Sequence, residues 1–362
     1  MSNSDIRVVP GPANYFSHPG SLERLSDFFS ADQLSRAVWV YGERALAGAE
    51  PFLPAAFHLP EAKKIRFTGH CSERDVAGLV QASGDDRAVV IGVGGGALLD
   101  SAKVLARRLG VPLVAIPTIA ATCAAWTPLS VWYSDAGQAL NFELFDDANF
   151  LVLVEPRIIL NAPAEYLLAG IGDTLAKWYE AVVLAPQPTA LPLTVRLGIN
   201  GALAIRDVLL ASSETALADQ RRGDLTQAFR DVVEAIIAGG GMVGGLGERY
   251  TRVAAAHAVH NGLTVLPQTD KFLHGTKVAY GILVQSALLG QDDVLAQLVQ
   301  AYQRFNLPTT LAALEVDINN RAELDRVIAH TLRPGESIHY LPVTLTPEVL
   351  RAAFEKVEYF SR

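Results

Sequence analysis

The sequence predicts two domains in succession: an α/β domain built on a parallel sheet over residues 1–160, then an all-helical domain over residues 161–362. Three observations carry that expectation. At 362 residues the chain exceeds what one hydrophobic core usually fills. In its first part, short apolar runs such as Arg36–Tyr41 (RAVWVY) and Ala88–Val93 (AVVIGV) alternate with amphipathic helical segments. From about Asn161 the apolar residues recur at helical spacing in long segments between Pro and Gly, with no convincing strand.

Taken in order, Ser21–Phe29 sets Leu22, Leu25, Phe28 and Phe29 at helical spacing, and RAVWVY reads as a buried strand that Gly42 ends. Ser72 can cap a helix carrying Val76, Leu79 and Val80. The strand AVVIGV runs straight into Gly94, Gly95 and Gly96, an amphipathic helix covers Leu98–Leu109, and Val111–Pro117 (VPLVAIP) is the next strand. Strand, glycine turn, helix and strand in sequence imply parallel pairing with helices on the sheet faces. Phe150–Val154 (FLVLV) closes the first domain, and the sequence holds no internal repeat or low-complexity segment.

Composition narrows the function. Half the residues are hydrophobic and 19% are charged, which argues for a large core and against disorder. A net charge of −8 and a pI near 5.5 offer no basic footprint for nucleic acid or an anionic membrane. The start, MSNSDIRVVPG, has no basic run followed by an apolar one, and the glycine-rich apolar run Ala235–Gly247, flanked by Glu234 and Glu248, is too short to span a bilayer. Cys71 and Cys123 have neither metal-site spacing nor a disulfide framework, so a reducing, cytoplasmic setting is expected.

Chemistry concentrates in Val253–Gly275. His257 and His260 stand three apart in an Ala-rich segment that favours helix, on roughly one face, and His274 follows a turn marked by Pro267. Each is either an ordinary half-buried histidine or a metal ligand; catalytic zinc or ferrous sites take about three protein ligands and leave a position open. In Ala169–Glu180 (AGIGDTLAKWYE), Asp173 sits near the start of a helix after two glycines, as a helix cap or as the carboxylate that completes a set with His257 and His274. The glycine turn Gly92–Asp100 (GVGGGALLD) either lets backbone amides approach a phosphate or simply lets the helix pack on its strand. No Lys-Ser/Thr follows it, which excludes a Walker loop, and the next strand ends in Pro117-Thr118 without an acidic residue for the adenosine ribose. Lys103 and Lys177 lie on helices beside these motifs, in solvated or helix-pairing roles as readily as catalytic ones; His18, His58, His70, His330 and His339 read as surface or packing residues.

Together GVGGGALLDSAK, PTIAATCAAWTPLSVWY, GIGDTLAKWYEA, AAAHAVHNGLT and FLHGTKVAYGIL resemble the iron-containing, or group III, alcohol dehydrogenases, in the branch of the glycerol dehydrogenases. The resemblance covers nearly the whole chain. It implies a Rossmann-like dinucleotide domain followed by a helical metal domain, an arrangement shared with dehydroquinate synthase, with the active site in the cleft between them. It places the metal ligands on Asp173, His257 and His274. The cofactor contacts fall on Gly94, Gly95, Gly96, Asp100, Thr118 to Ala121, Thr127, Leu129 and Tyr133, and His260 matches a histidine near the nicotinamide.

Three departures from that pattern bear on substrate and cofactor. Glycerol dehydrogenases carry STDAP where this chain has Ala121-Thr122-Cys123-Ala124-Ala125, so Cys123 replaces the aspartate that holds polyol hydroxyls. They have a glycine where Arg252 stands, five residues before His257. Losing a carboxylate and gaining a guanidinium suits an anionic substrate, because Arg pairs with carboxylate in a bidentate fork; alternatively Arg252 is solvated on a helix face. NAD-preferring relatives have an aspartate where this chain has Gly42, followed by Glu43 and Arg44, a change that should admit NADP(H).

The expected function is therefore reversible hydride transfer between NAD or NADP and a small 2-oxo or 2-hydroxy acid at a divalent metal, zinc first and iron second, in a homo-oligomer. His260, Arg252 and Cys123 would line the reacting centre, with His260 either relaying a proton or packing and Cys123 forming a pocket wall, since Thr122 and Ala124 supply no cation to activate the thiol. A glycerol or polyol dehydrogenase is the near alternative; a dehydroquinate synthase-like lyase and a non-catalytic binder are remoter ones.

Overall fold

The apolar runs RAVWVY and AVVIGV become neighbouring strands near the middle of a six-stranded parallel sheet. The strands are β1 (Asn14–Ser17), β2 (Ala37–Tyr41), β3 (Lys63–Arg66), β4 (Val89–Gly94), β5 (Leu113–Pro117) and β8 (Leu151–Val154), in the order β1-β8-β5-β4-β2-β3. Every residue of β4, β5 and β8 is buried, which is why these strands read as unbroken apolar runs rather than as alternation. Between β5 and β8 the chain makes a separate antiparallel hairpin, β6 (Leu129–Tyr133) with β7 (Ala139–Leu144).

This computed structural model describes residues 6–135, 137–185 and 190–362; the first five residues of the amino-terminal stretch read for a leader lie outside them. One unit holds the sheet and comprises Val9–Pro163 with Asp219–Gly245, so residues 219–245, expected from the sequence in the helical half, cluster with the strands. The other comprises Ala164–Ala218 and Leu246–Arg362 with the residues up to Val8, and it contains no strand among the described residues. No described helix is long and apolar enough to cross a membrane.

In the sheet unit, Ser72 does cap the helix Glu73–Ser83, its hydroxyl accepting the Asp75 amide at 3.2 Å. The helix after the glycine turn starts at Gly96 and runs to Leu109. Ser21–Phe29 forms a 3-10 turn that passes into a short α-helix, burying Leu22 and Leu25.

In the helical unit, three helices meet backbone against backbone: Ala164–Leu184, Ala255–Leu263 and His274–Leu288. A Cβ at Gly275 would lie 1.9 Å from the Ala169 carbonyl oxygen, one at Gly172 2.5 Å from the Gly275 carbonyl oxygen, and one at Gly281 2.2 Å from that of Ala256. Glycine at these crossings lets the axes approach closely enough for side chains from all three helices to converge.

Candidate metal centre

Asp173 does not cap a helix. It lies well inside Ala164–Leu184, which begins at Ala164, and is 6% exposed. The glycines before it mislead as a helix-start signal, because Gly172 is there for the crossing with Gly275. His257 and His260 do lie on one helix, Ala255–Leu263, and His274 is the first residue of the next long helix.

The structure brings Asp173, His257 and His274 together: one ligand atom from each falls within 4.8 Å of the others. Asp173 Oδ1 is 3.2 Å from His274 Nε2 and 3.6 Å from His257 Nε2. Two ligand atoms on one tetrahedral ion stand about 3.3 Å apart, given bonds of about 2.0–2.1 Å, so these separations suit a shared ion.

The surrounding hydrogen bonds decide which imidazole nitrogens are free. Glu180, fully buried, accepts from His257 Nδ1 at 2.7 Å through Oε2, while its Oε1 accepts the amides of Ala254 at 2.7 Å and His257 at 3.1 Å. Gln285 Oε1 accepts the amides of Ala255 and Ala256, so two buried side chains from neighbouring helices cap the first turn that presents His257. With its proton on Nδ1, the neutral His257 ring turns the lone pair of Nε2 toward Asp173.

His274 reaches the same state by a longer route. Asn261 Nδ2 donates to Glu336 Oε2 at 2.9 Å, which fixes the amide with Oδ1 toward His260 Nδ1, 3.0 Å away. His260 Nδ1 must then donate, its Nε2 accepts from His274 Nδ1 at 3.1 Å, and His274 Nε2 is left with a lone pair. Burial above all, with the Lys277 ammonium adding to it, pushes His260 well below the usual imidazole value, in keeping with a neutral ring.

Three lone-pair-bearing atoms thus face a common point, and Asp173 Oδ1, buried, makes no hydrogen bond. Acceptors gathered this way require a cation. A proton alone can serve: against burial, Glu180 and Asp173 raise His257 to about 9, while the two imidazoles and Lys177 hold the Asp173 carboxyl well below its ordinary range despite its burial. A divalent ion competes for the same lone pair, and a ligand set of one oxygen and two nitrogens suits zinc or ferrous iron. The side chains of Asp173 and His257 are 9% and 14% exposed and that of His274 44%, so the cluster is closed on one side and open on the other.

Arg252 is half-buried at the end of the turn Glu248–Thr251; burial lowers its guanidinium from the ordinary value, with Glu248 opposing. Among the other histidines, His58, His70 and His339 are exposed and His18 and His330 half-buried, outside the cluster. Glu180, Gln285, Asn261 and Glu336 escape a reading of the sequence. For Glu180 a signal exists: it follows Asp173 by two helical turns, on the same face, in an apolar setting.

The predicted cofactor residues all belong to the sheet unit. Gly42 ends β2, its amide donating to the Val93 carbonyl at 3.4 Å, and Thr118 follows β5, its amide donating to the Gly94 carbonyl at 3.1 Å. Gly95 caps the helix Gly96–Leu109 without a side-chain hydrogen bond, so the first-turn amides remain available to an anion. Cβ atoms at Gly94 and Gly95 would lie 2.9 Å from Leu98 and 2.8 Å from Ile119, which explains glycine at both. Cys123 is half-buried at the head of a turn where its carbonyl accepts the amides of Trp126 and Thr127. Tyr133 stacks on His70, with ring centroids 5.6 Å apart. Lys103 is not solvated: its side chain is 2% exposed and paired with Asp100 at 2.8 Å.

A family profile described as Iron-containing alcohol dehydrogenase matches residues 12–156. Hydroxycarboxylate dehydrogenase A of Escherichia coli (strain K12) is 79% identical over 99% of this chain and 99% of its own length. Glycerol dehydrogenase of Pseudomonas putida is 34% identical over 96% of each chain. The crystal structure of a probable glycerol dehydrogenase from Sinorhizobium meliloti 1021 matches with a TM-score of 0.85 at 29% identity, covering 98% of this chain and 99% of that one. The chain is an oxidoreductase and belongs to the iron-containing alcohol dehydrogenase family, in its glycerol dehydrogenase-like branch.

Proposed function

We propose that this oxidoreductase interconverts small 2-oxo acids and 2-hydroxy acids, with NADP(H) or NAD(H) as hydride carrier and a divalent metal held by Asp173, His257 and His274. The observation that carries the metal is the meeting of Asp173 Oδ1 with two imidazole Nε2 lone pairs. The activity in the name of the relative that shares 79% of its residues supports the substrate class. So do Cys123, where a polyol enzyme holds hydroxyls on a carboxylate, and the half-buried guanidinium of Arg252, suited to a substrate carboxylate.

The roles divide cleanly among the residues. Asp173, His257 and His274 bind the ion, which when present acts as a Lewis acid toward the carbonyl or alcohol oxygen. Glu180 holds the proton of His257 at Nδ1, and Glu336, acting through Asn261 and His260, holds that of His274 at Nδ1. His260 orients in this scheme and does not relay: its chain continues into the Asn261 amide, which does not pass a proton onward. Gly94, Gly95, Gly96, Thr118, Ala121, Thr127, Leu129 and Tyr133 would bind the nicotinamide cofactor, which exchanges the hydride. With Gly42 at the end of β2, no carboxylate at that position repels a 2′-phosphate; Arg66, in register beside Tyr41 on the adjacent strand, is paired with Glu43 at 2.6 Å.

A panel of short 2-oxo acids and glycerol, run with NADH, NADPH and their oxidised forms on protein of measured metal content, tests the proposal. Reduction of 2-oxo acids with little glycerol oxidation is expected. Efficient glycerol oxidation without 2-oxo acid reduction overturns it in favour of a polyol dehydrogenase.

A further inference from the structure

The segment from Ala121 to Val131 has little regular structure before β6, yet side chains from several directions hold its backbone. Lys103 Nζ, on the helix Gly96–Leu109, donates to the carbonyl of Ala124 at 3.0 Å, to that of Thr127 at 3.3 Å and to that of Leu129. The same ammonium lies 2.8 Å from Asp100 Oδ1, one helical turn earlier. Asp100 in turn accepts the Val131 amide on Oδ2 at 3.1 Å, and its backbone carbonyl accepts the Ser130 hydroxyl at 2.9 Å. Both charges are nearly inaccessible, with side-chain exposures of 2% for Lys103 and 9% for Asp100.

Between those points the segment is pinned twice more. Asn149 Nδ2 donates to the Ala125 carbonyl at 2.6 Å, and Trp126 Nε1 donates to the Pro10 carbonyl at 2.8 Å. The Trp126 ring occupies the place where a Cβ on Gly11 or Gly241 would come within 2.5 Å of it. A buried charge pair is a weak device for stability alone, since apolar residues of the same volume often serve as well. Three convergent backbone carbonyls give this pair a different role, because they fix where Thr127 and Leu129 stand, and with them the turn headed by Cys123.

We propose that Lys103 and Asp100 are positioning residues that set the conformation of the 121–131 segment for the nicotinamide cofactor, acting through the segment without touching the ligand. The inference rests on the proposed cofactor reading. It departs from the cofactor contact that the family resemblance implies for Asp100 and assigns the residue an internal role, because Oδ1 is paired with Lys103 and Oδ2 accepts the Val131 amide. It also separates two effects that a single substitution confounds. Lys103→Met strands the Asp100 carboxylate in the core and releases the three carbonyls. Asp100→Asn added to Lys103→Met removes the stranded charge while leaving the carbonyls released.

The test measures NADH and NADPH dissociation constants by fluorescence titration, thermal midpoints, and amide hydrogen exchange over residues 121–131, for the unaltered protein, Lys103→Met and the double variant. In the double variant the midpoint should recover toward that of the unaltered protein. Cofactor binding should stay weaker by about tenfold, with KM for the cofactor raised to match and kcat at saturation changed less than about threefold. Exchange in the segment should stay fast. Lys103→Gln, which keeps donors near the carbonyls, should restore affinity to within about threefold and serves if the other variants fold poorly. Cofactor affinity that returns with the thermal midpoint in the double variant, or that is lost equally in Lys103→Gln, overturns the proposal. Failure of the unaltered protein to bind either cofactor would instead defeat the cofactor reading itself, and this inference with it.

Discussion

Replacing Glu180 by Gln keeps the shape of the side chain and removes one acceptor, which makes it a sharp test of how the metal centre is assembled. Three N–H groups converge on Glu180: the Ala254 and His257 amides on Oε1, and His257 Nδ1 on Oε2. Glutamine has one carbonyl oxygen and one NH2 group. The two amides cap the first turn of Ala255–Leu263 and keep the oxygen, so the NH2 group must face His257 Nδ1. A donor against a donor forces the ring into the opposite tautomer, and its proton then sits on Nε2, facing Asp173 Oδ1. Binding a metal requires that proton to be displaced and the buried NH2 group to lose its partner. Loss of such an outer partner typically lowers metal affinity by about 10–100-fold, or about 1.4–2.7 kcal/mol. Zn2+ and Fe2+ titrations against a competing chelator, with far-UV circular dichroism to confirm folding, read the effect. A folded Glu180→Gln protein that binds metal as tightly as the unaltered one would refute the tautomer argument.

Four further outcomes follow from the same structure. Gly275→Ala places a methyl 1.9 Å from the Ala169 carbonyl oxygen and 2.9 Å from Asp173 Cβ, so the helices must separate; a loss of about 2 kcal/mol or more in urea unfolding, with lowered metal content, is expected, and an unchanged midpoint would contradict the crossing. Metal added to chelator-treated protein should raise the thermal midpoint, by the equivalent of about 2.7 kcal/mol at one hundred times the dissociation constant, and His274→Ala should abolish most of that rise. Cys123→Asp introduces the carboxylate that the resemblance implies at this position in glycerol dehydrogenases; glycerol oxidation should increase and 2-oxo acid reduction fall by about tenfold or more, and a rise in both activities would count against the anionic-substrate reading. Burial opposes the charged form of Glu155, but the Arg157 guanidinium and the Gly20 and Arg157 amides outweigh it and hold the carboxyl below its usual range. A folded-state value lowered in this way contributes stability above the unfolded value of about 4.3 and loses it as pH falls through the folded value; the stability gap between the unaltered protein and Glu155→Gln should therefore narrow below about pH 4, and a gap independent of pH between 3 and 7 would exclude the ion pair as its source.

What could be read from the sequence divides along physical lines. Strands buried on both faces announce themselves as unbroken apolar runs, so β2, β4, β5 and β8 were legible to within a residue or two. The hairpin was not. All six residues of β7 are exposed, including Leu140, Phe142 and Leu144, so the strand has no buried face to impose a period of two. β1 and β3 are four residues each and at most half-buried, too short for a pattern to repeat.

The side chains of the candidate metal centre were legible by residue type and the geometry that joins them was not, because hydrogen bonds between distant segments leave no periodic trace. Glu180 and His257 are 77 positions apart, and Asn261 and Glu336 are 75 apart. Glycine was the most misleading residue. Gly170 and Gly172 before Asp173 suggest a helix start, since glycine in a helix interior costs about 1 kcal/mol relative to alanine. The helix nevertheless runs through both, because a side chain at Gly172 would strike the backbone of Gly275, and a side chain at Gly275 would strike that of Ala169 and crowd Asp173 Cβ. The propensity lost within one helix is what allows the next helix to bring His274 within 3.2 Å of Asp173. Local sequence preference and the binding site therefore pull in opposite directions at these glycines, and the site prevails because no larger residue would let its ligands meet.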